Sequence, residues 1–488
     1  MIKPGNKHKP NKKDKEDEVN VTNIKILLPI AILIICFISI NTFLQAFPEN
    51  NYDPGEYEAQ AETIKNLGLS QEKAFEFLQI LTSVGGRLTG SPQAEQAVRL
   101  MNKLMIELGF DRVWLEPVKV NHWIRGKLET GLIESQKLGQ KKINICALGN
   151  SVGTPEEGIE AGVIEIKSWK ELDSLQDRIK GKIVFYNVPM DRTIVDPFKA
   201  YGQAAQYRVK GASMAARYGA IASLTRSLTF RLDNYPHTGV MIYDEKLPKI
   251  PAASIATLDS NCLSHWLSVD PSLRIKLKLS CRQLDPVTSY NVIGELTGTE
   301  KPEEIILLGG HLDSWDLSPG ANDDASGCVV ALEALRLLKE AGLKPKRTVR
   351  AVLFMDEEFG GSGGKAYVVD NHRLKEKHLL AIEQDRGGGL PLGLLIGKEE
   401  KVLNKLQPIK KILQSLGVNW IENGGGGVDI SPLISSGVIP GSLIPNPQRY
   451  FDYHHSALDN LEAVHPRELE LQAIILAIVC YYLAQEGV

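Results

Sequence analysis

The sequence predicts an α/β fold: a mostly parallel sheet with helices on both faces, carrying an inserted smaller α/β domain and an N-terminal transmembrane helix. Three observations predict it. After Asn291, strand-length apolar runs alternate with amphipathic helical stretches, as a parallel sheet covered on both faces requires. Between about 150 and 282 the character changes to short β-branched runs closed by the alternating RIKLKLSCR. At the start, nineteen residues from Ile26 to Leu44 carry no charge.

The N-terminal segment is read first. Residues 1–25 hold seven lysines, and the uncharged run behind them spans roughly 28 Å as a helix, close to the hydrocarbon thickness of a bilayer. No Lys or Arg follows until Lys65, whereas Glu49, Asp53, Glu56, Glu58 and Glu62 do. This bias places a basic tail (1–25) in the cytoplasm, a signal-anchor over 26–45, and the bulk of the chain in the periplasm or extracellular space. The alternative is a cleaved secretory signal, although no clear small-x-small site follows the run.

Residues 46–57 read as a linker. Helices are expected from about 62, over 72–81 and over 93–108, with GGRLTGSP (85–92) as a turn between the last two. WLEPVKV and WIRGKLE read as strands. These belong to the first part of the main domain, 46–149. The insert, 150–282, holds the strands GVIEI, GKIVFYNV and AIASLTRS, a helix over 204–218, and a strand running into a helix in PAASIATLDSNCLSHWL. The second part of the main domain, 283–488, gives VIGEL, EIILLGGH, a helix over 325–340, TVRAVLFMD, a helix opening in GSGGKAYVVDNH, HLLAIEQD, a helix over 399–416, and a last helix over 466–485. That last helix is apolar enough to span a membrane, but its position at the end of the fold reads as a buried core helix.

The formal charge is −3 over 488 residues, with 43% hydrophobic and 24% charged side chains. Positive charge is neither in excess nor gathered on one helix, so no nucleic-acid surface is expected. Six cysteines (36, 146, 262, 281, 328, 480) form no CxxC, which excludes a cysteine zinc site. Cys262 and Cys281 either pair or are separately buried.

The chemistry sits at the ends of the apolar runs. His311 follows EIILLGG; Asp323 and Asp324 precede a helix; Glu357 and Glu358 follow TVRAVLFMD; Asp385 follows HLLAIEQ; His454 and His455 lie in YFDYHHSALD. Ligands of an open α/β sheet gather at the carboxyl ends of its strands. Oxygen and imidazole donors without thiolate suit zinc, and also manganese or cobalt. Unneutralised, these carboxylates would raise one another's pKa. Singly, each has a plainer reading: either Asp323 or Asp324 fits a helix cap, and a Glu-Glu pair is often surface. Their recurrence at four or five strand ends favours a metal site.

GHLDSWD, GANDDASG, LKPKRTVR, the Glu-Glu pair, YFDYHHS and YPHTG resemble the co-catalytic zinc exopeptidases, the aminopeptidase/glutamate carboxypeptidase group, over roughly residues 55–485. The likeness is greatest to a dipeptidase of that group. The resemblance implies two Zn2+ per chain. His311 and Asp385 would hold one, Glu358 and His455 the other, and Asp323 would bridge them. It implies Glu357 as general base toward a zinc-bridged hydroxide, Asp313 as a carboxylate that fixes the His311 imidazole, and His454 as an oxyanion donor. It further implies dipeptides or short peptides as substrates, a homodimer, and a protease-associated-like lid over the cleft, with residues 235–239 as a contact loop and 424–429 lining the pocket. Two positions depart from the pattern: Asn460, and Arg386, which either recognises a substrate carboxylate or forms a salt bridge elsewhere. A general aminopeptidase is the alternative activity. A non-catalytic receptor-like homologue would have broken ligands, and all five are present. A glutaminyl cyclase would use a single zinc.

Overall fold

The structure is a computed structural model that describes residues 54–488 apart from 371, 372, 374 and 399. The expected basic tail, membrane span and most of the linker therefore lie outside the described residues.

The larger sheet has eight strands. Their order is Arg112–Val120, Val287–Leu296, Arg347–Phe354, Lys301–His311, Lys377–Glu383, Ile439–Pro445, Pro391–Ile396 and Trp420–Glu422. Lys301–His311 pairs in parallel with Arg347–Phe354 on one side and with Lys377–Glu383 on the other, and Lys377–Glu383 is parallel to Ile439–Pro445. On either side of this parallel centre the next pairings are antiparallel, and the far edge pair, Pro391–Ile396 with Trp420–Glu422, is parallel again, so the sheet is mixed. The outermost strand, Arg112–Val120, contains Pro117, which an edge position tolerates because one side of the strand needs no donor.

Burial on both faces explains why the central strands read as continuous apolar runs. Ile305 and Leu307 pack in one layer with Tyr367, Ile430 and Leu433. Alternation turns Ile306 and Leu308 to the opposite face, where helix Ser326–Glu340 packs. Helix Pro466–Glu486 packs against that helix and is buried almost all round. Among the described residues it alone is long and apolar enough to cross a membrane, and 83% of its apolar window is buried, as a core helix requires. Its start is set by His465, whose Nδ1 accepts the Arg467 N–H, and by Pro466 in the first turn.

A second eight-stranded sheet has the order Gly139–Ile143, Glu129–Ser135, Arg274–Leu279, Ile159–Ile166, Ile183–Tyr186, Ala222–Arg226, Ala252–Ile255 and Ile145–Ala147. Strands between 129 and 147 thus belong to this sheet, earlier than the expected boundary at 150. Ile133, Ile143 and Ile145 share one core with Ile275 and Leu277, and that core continues through Trp123 and Trp315 toward the larger sheet. Residues 55–488 form one compact unit.

Three further differences have local causes. The helix expected over 204–218 is Pro197–Ala216, opened earlier by Asp196, whose carboxylate accepts the Phe198 N–H. The helix expected over 399–416 breaks into Glu400–Lys405 and Lys410–Ser415 around Pro408. The five described cysteines are free, Cys262 and Cys281 included.

Candidate metal centre

Strand Lys301–His311 ends with His311, 1% exposed, on the rim where the parallel strands finish. Chain segments meet closely here. A Cβ on Gly310 would lie 2.5 Å from Asp324 Oδ2, and one on Gly327 would lie 1.8 Å from the Gln384 carbonyl. Only glycine fits at either position, which accounts for part of the small-residue character of this stretch.

The adjacent acids Asp323 and Asp324 do different work. The backbone leaves helical geometry at both, and the peptide bond between them is cis. Asp324 is structural: its Oδ1 accepts the Gly327 N–H at 3.0 Å and its Oδ2 accepts the His311 N–H at 3.0 Å. It therefore caps helix Ser326–Glu340 and ties it to the strand. Asp323 faces the imidazoles. Its Oδ1 lies 3.2 Å from His311 Nε2, and its Oδ2 lies 3.4 Å from His455 Nε2. The Asp459 carboxylate holds this segment by accepting the Asn322 N–H at 2.6 Å and the Asp323 N–H at 3.0 Å.

Two groups of potential ligands therefore share Asp323. In one, His311 Nε2 is also 3.6 Å from Asp385 Oδ1. In the other, His455 Nε2 is 3.1 Å from Glu358 Oε2. His454 lies against the same group, with Nε2 3.8 Å from Asp323 Oδ2 and its ring stacked 3.5 Å from that of His455. His455 takes a left-handed backbone (φ 61°), a conformation in which histidine is enriched among non-glycine residues.

The donor set fits a cation. Asp323 Oδ2, Glu358 Oε1 and Asp385 Oδ1 are buried without any hydrogen-bond donor. Carboxylate oxygens left so are unfavourable unless an ion compensates them. The titration directions agree. Burial, then Asp323, drives the Glu358 carboxyl up, and burial likewise raises Glu357. Burial works against charge on His311, but hydrogen bonds to Asp323 and Asp385 outweigh it and raise its pKa. Burial lowers His454, and lowers His455 to about 3, so both are neutral bases. A bound dication reverses this logic by holding the carboxylates ionised.

Neighbouring groups aim these side chains. The Asp313 carbonyl lies 3.0 Å from His311 Nδ1, and a carbonyl only accepts, so the ring proton sits on Nδ1 and Nε2 is free. The Thr238 carbonyl does the same for His455 Nδ1 at 3.3 Å. Trp315 Nε1 donates to Glu358 Oε2 at 2.5 Å. The Asp313 carboxylate was expected to orient the His311 imidazole, and its role differs: Oδ1 is 3.9 Å from the ring. It instead accepts the N–H groups of Asp356 (2.7 Å), Glu357 (3.1 Å) and Glu358 (3.3 Å), and the Thr89 hydroxyl (2.8 Å). Asp313 thus positions the Glu-Glu pair, and its main chain positions the histidine.

Residues 235–239 of the second sheet's segment reach the site. His237 Nδ1 donates to the His454 carbonyl at 2.7 Å, and the Thr238 N–H donates to the His455 carbonyl at 2.8 Å. The 424–429 run places Asp429 behind the site, 1% exposed, where burial and then Glu383 raise its pKa. Three contributors carried little sequence signal. Arg87 in the 85–92 turn donates from Nε to the Leu312 carbonyl at 2.7 Å, and Thr89 and Trp315 act as described. Their partners lie more than forty or two hundred positions away, beyond the reach of local pattern.

Buried imidazoles and carboxylates meeting at the carboxyl ends of parallel strands define a metalloenzyme of α/β architecture. The chain belongs to peptidase family M28: the family pattern matches residues 291–479, and Carboxypeptidase Q of Bos taurus is 36% identical over 444 residues, covering 90% of this chain and 92% of the relative. It is a metallopeptidase. The solved structure of a peptidase M28 precursor from Shewanella amazonensis SB2B superposes with a TM-score of 0.85 at 34% identity, covering 89% of this chain and 98% of that one. A zinc aminopeptidase from Bacillus subtilis shares the fold, with a TM-score of 0.61 at 20% identity over 84% of this chain and 93% of its own.

Proposed function

We propose that this chain is a two-zinc exopeptidase that hydrolyses free dipeptides. One observation carries the reading: Asp323 directs one oxygen to His311 and the other to His455, at 3.2 and 3.4 Å, the arrangement of a carboxylate shared between two ions. In this reading His311 and Asp385 complete one zinc site and Glu358 and His455 the other. Zinc, when bound, polarises the substrate carbonyl and makes a water molecule more acidic.

The chain's own residues then move the protons. Glu357 is half-buried and, among the described residues, no donor reaches its carboxylate, so it is free to take a proton from the attacking water and return it to the leaving nitrogen. Asp313 fixes the backbone beneath it. His454 offers a ring N–H to the oxygen on which charge develops, steadied by His237 through its main chain. The second sheet's segment, about 128–280, acts as the lid: its loop at 237–238 holds the paired histidines, and Phe198 and Tyr201 pack on Phe451 at 5.0 and 4.6 Å. A lidded cleft favours short substrates with both termini free.

The test is a panel of free dipeptides, N-acetyl dipeptides, dipeptide amides and tetrapeptides, assayed with zinc present. Fast cleavage of free dipeptides alone supports the reading. Equal cleavage of amides and tetrapeptides makes the enzyme a general aminopeptidase. The seven lysines and the uncharged run behind them further support a membrane-anchored enzyme with its catalytic part outside the cytoplasm. Retention in membranes after carbonate extraction is expected, and a soluble chain trimmed at its N-terminus would overturn the anchor.

A further inference from the structure

We infer that Asn322 and Arg386 form an anion subsite that receives the substrate's free α-carboxylate, and so select dipeptides; the assignment rests on the dipeptidase reading above. Both residues line a cavity of about 640 Å3, within the size range of ligand pockets. Each is the chain neighbour of a ligand carboxylate, Asn322 of Asp323 and Arg386 of Asp385. Tyr450, in the same wall, has its ring 5.3 Å from that of His454. The cavity therefore opens beside the metal centre.

Each residue presents an unused donor. Asn322 is 5% exposed. Its Oδ1 accepts the Gly388 N–H at 3.0 Å, which fixes the amide orientation and leaves Nδ2 as the donor without an acceptor. Buried donors are rarely left unmatched, and a ligand oxygen would match this one. Arg386 has no hydrogen bond or ion pair among the described residues. Its guanidinium lies over the Phe198 ring from the lid, 4.7 Å from the centroid. Stacking of that kind holds the plane and leaves the guanidinium edge open for a carboxylate. The other arginine of the wall, Arg449, is occupied by Tyr453 and by Asp452. Glu462 and Glu468 share the wall, but neither pairs with Arg386, so its charge stays available.

In a dipeptide the free carboxylate sits one residue beyond the scissile carbonyl, and Asn322 and Arg386 each stand one residue along the chain from a carboxylate of the metal centre. In a longer peptide an amide occupies that place and brings no charge.

The experiment compares kcat/KM for a free dipeptide and for its C-terminal amide, in the zinc-loaded full chain and in Arg386→Ala, Arg386→Lys and Asn322→Asp, with zinc content measured for each. The dipeptide-over-amide ratio is expected to fall about 10- to 100-fold in Arg386→Ala, the range for losing a charge-assisted hydrogen bond, mostly through KM. It should fall less in Arg386→Lys. Asn322→Asp, which keeps the acceptor for Gly388 but replaces the free donor with a negative oxygen, should lower it as well. Phe198→Leu, which removes the stacking face, should lower it by a smaller factor. If wild type discriminates but both Arg386 variants and Phe198→Leu keep the ratio, the subsite assignment is overturned while the dipeptidase reading stands. If wild type does not discriminate, both fall together.

Discussion

Replacing Asp313 separates two accounts of how the centre is held. The carboxylate is fully buried and accepts three backbone N–H groups and one hydroxyl. Asp313→Ala strands all four. A buried unsatisfied donor costs about 1–3 kcal/mol, and water entering the vacated space recovers some of it, so a loss of about 3–5 kcal/mol is expected. In Asp313→Asn the amide oxygen still accepts from Asp356 and Glu357, and the Thr89 hydroxyl can turn to accept. One donor, the Glu358 N–H, then faces an NH2 group, and the loss should be about 1–3 kcal/mol. The metal effect follows the same geometry. Both substitutions keep the main-chain carbonyl that orients His311, and both loosen the backbone of Glu358. The site of Glu358 and His455 should weaken by about 10- to 100-fold, while that of His311 and Asp385 changes little. Denaturant unfolding gives the first quantity. Stepwise zinc removal by a chelator, with Glu358→Gln and His311→Ala as single-site references, gives the second. Weakening of the His311 site first, or equal effects of Ala and Asn, would refute the reasoning.

Glu357→Gln should keep both zinc ions and lower kcat by about 10²–10⁴-fold, whereas Glu358→Gln should weaken one metal site; metal content and kcat for both variants decide, and the opposite pattern would exchange their roles. Asp323→Ala should disturb both sites at once, and two retained metals with normal turnover would end the bridging assignment. Far from the centre, burial and then Glu333 raise the Glu470 carboxyl to about 8. The folded state therefore binds this proton more tightly than the unfolded state, and the stability it confers is complete below about pH 4 and is lost as pH rises through about 8. Glu470→Gln keeps the acceptor for the Ala74 N–H and should flatten the Tm profile between pH 5 and 9; an unchanged slope would contradict this.

Legibility followed the range of the forces involved. The central strands were readable because burial on both faces leaves continuous apolar runs such as 305–308, and His311, Glu358 and Asp385 stood out as candidate ligands because they follow such runs. Spacing alone left Asp323 and Asp324 equivalent, and only the family resemblance chose Asp323; the tertiary contacts of Gly310, Gly327 and Asp459 are what separate the two physically. Strands 129–147 were misplaced because sheet membership is set by partners more than a hundred residues away, as in the pairing of Ile133 with Ile275. Asp313 was legible only in part: the residue does orient His311, but through its carbonyl, while its carboxylate turns to the backbone of 356–358. Pro408 did carry a local signal, and it broke the helix expected across it.

The central claim is that one carboxylate, Asp323, is shared between two zinc ions. Anomalous diffraction at the zinc edge on crystals of the purified enzyme tests it most directly. Two peaks are predicted, one among His311, Asp323 and Asp385 and the other among Asp323, Glu358 and His455. A single peak at full occupancy, or two peaks of which only one touches Asp323, would contradict it.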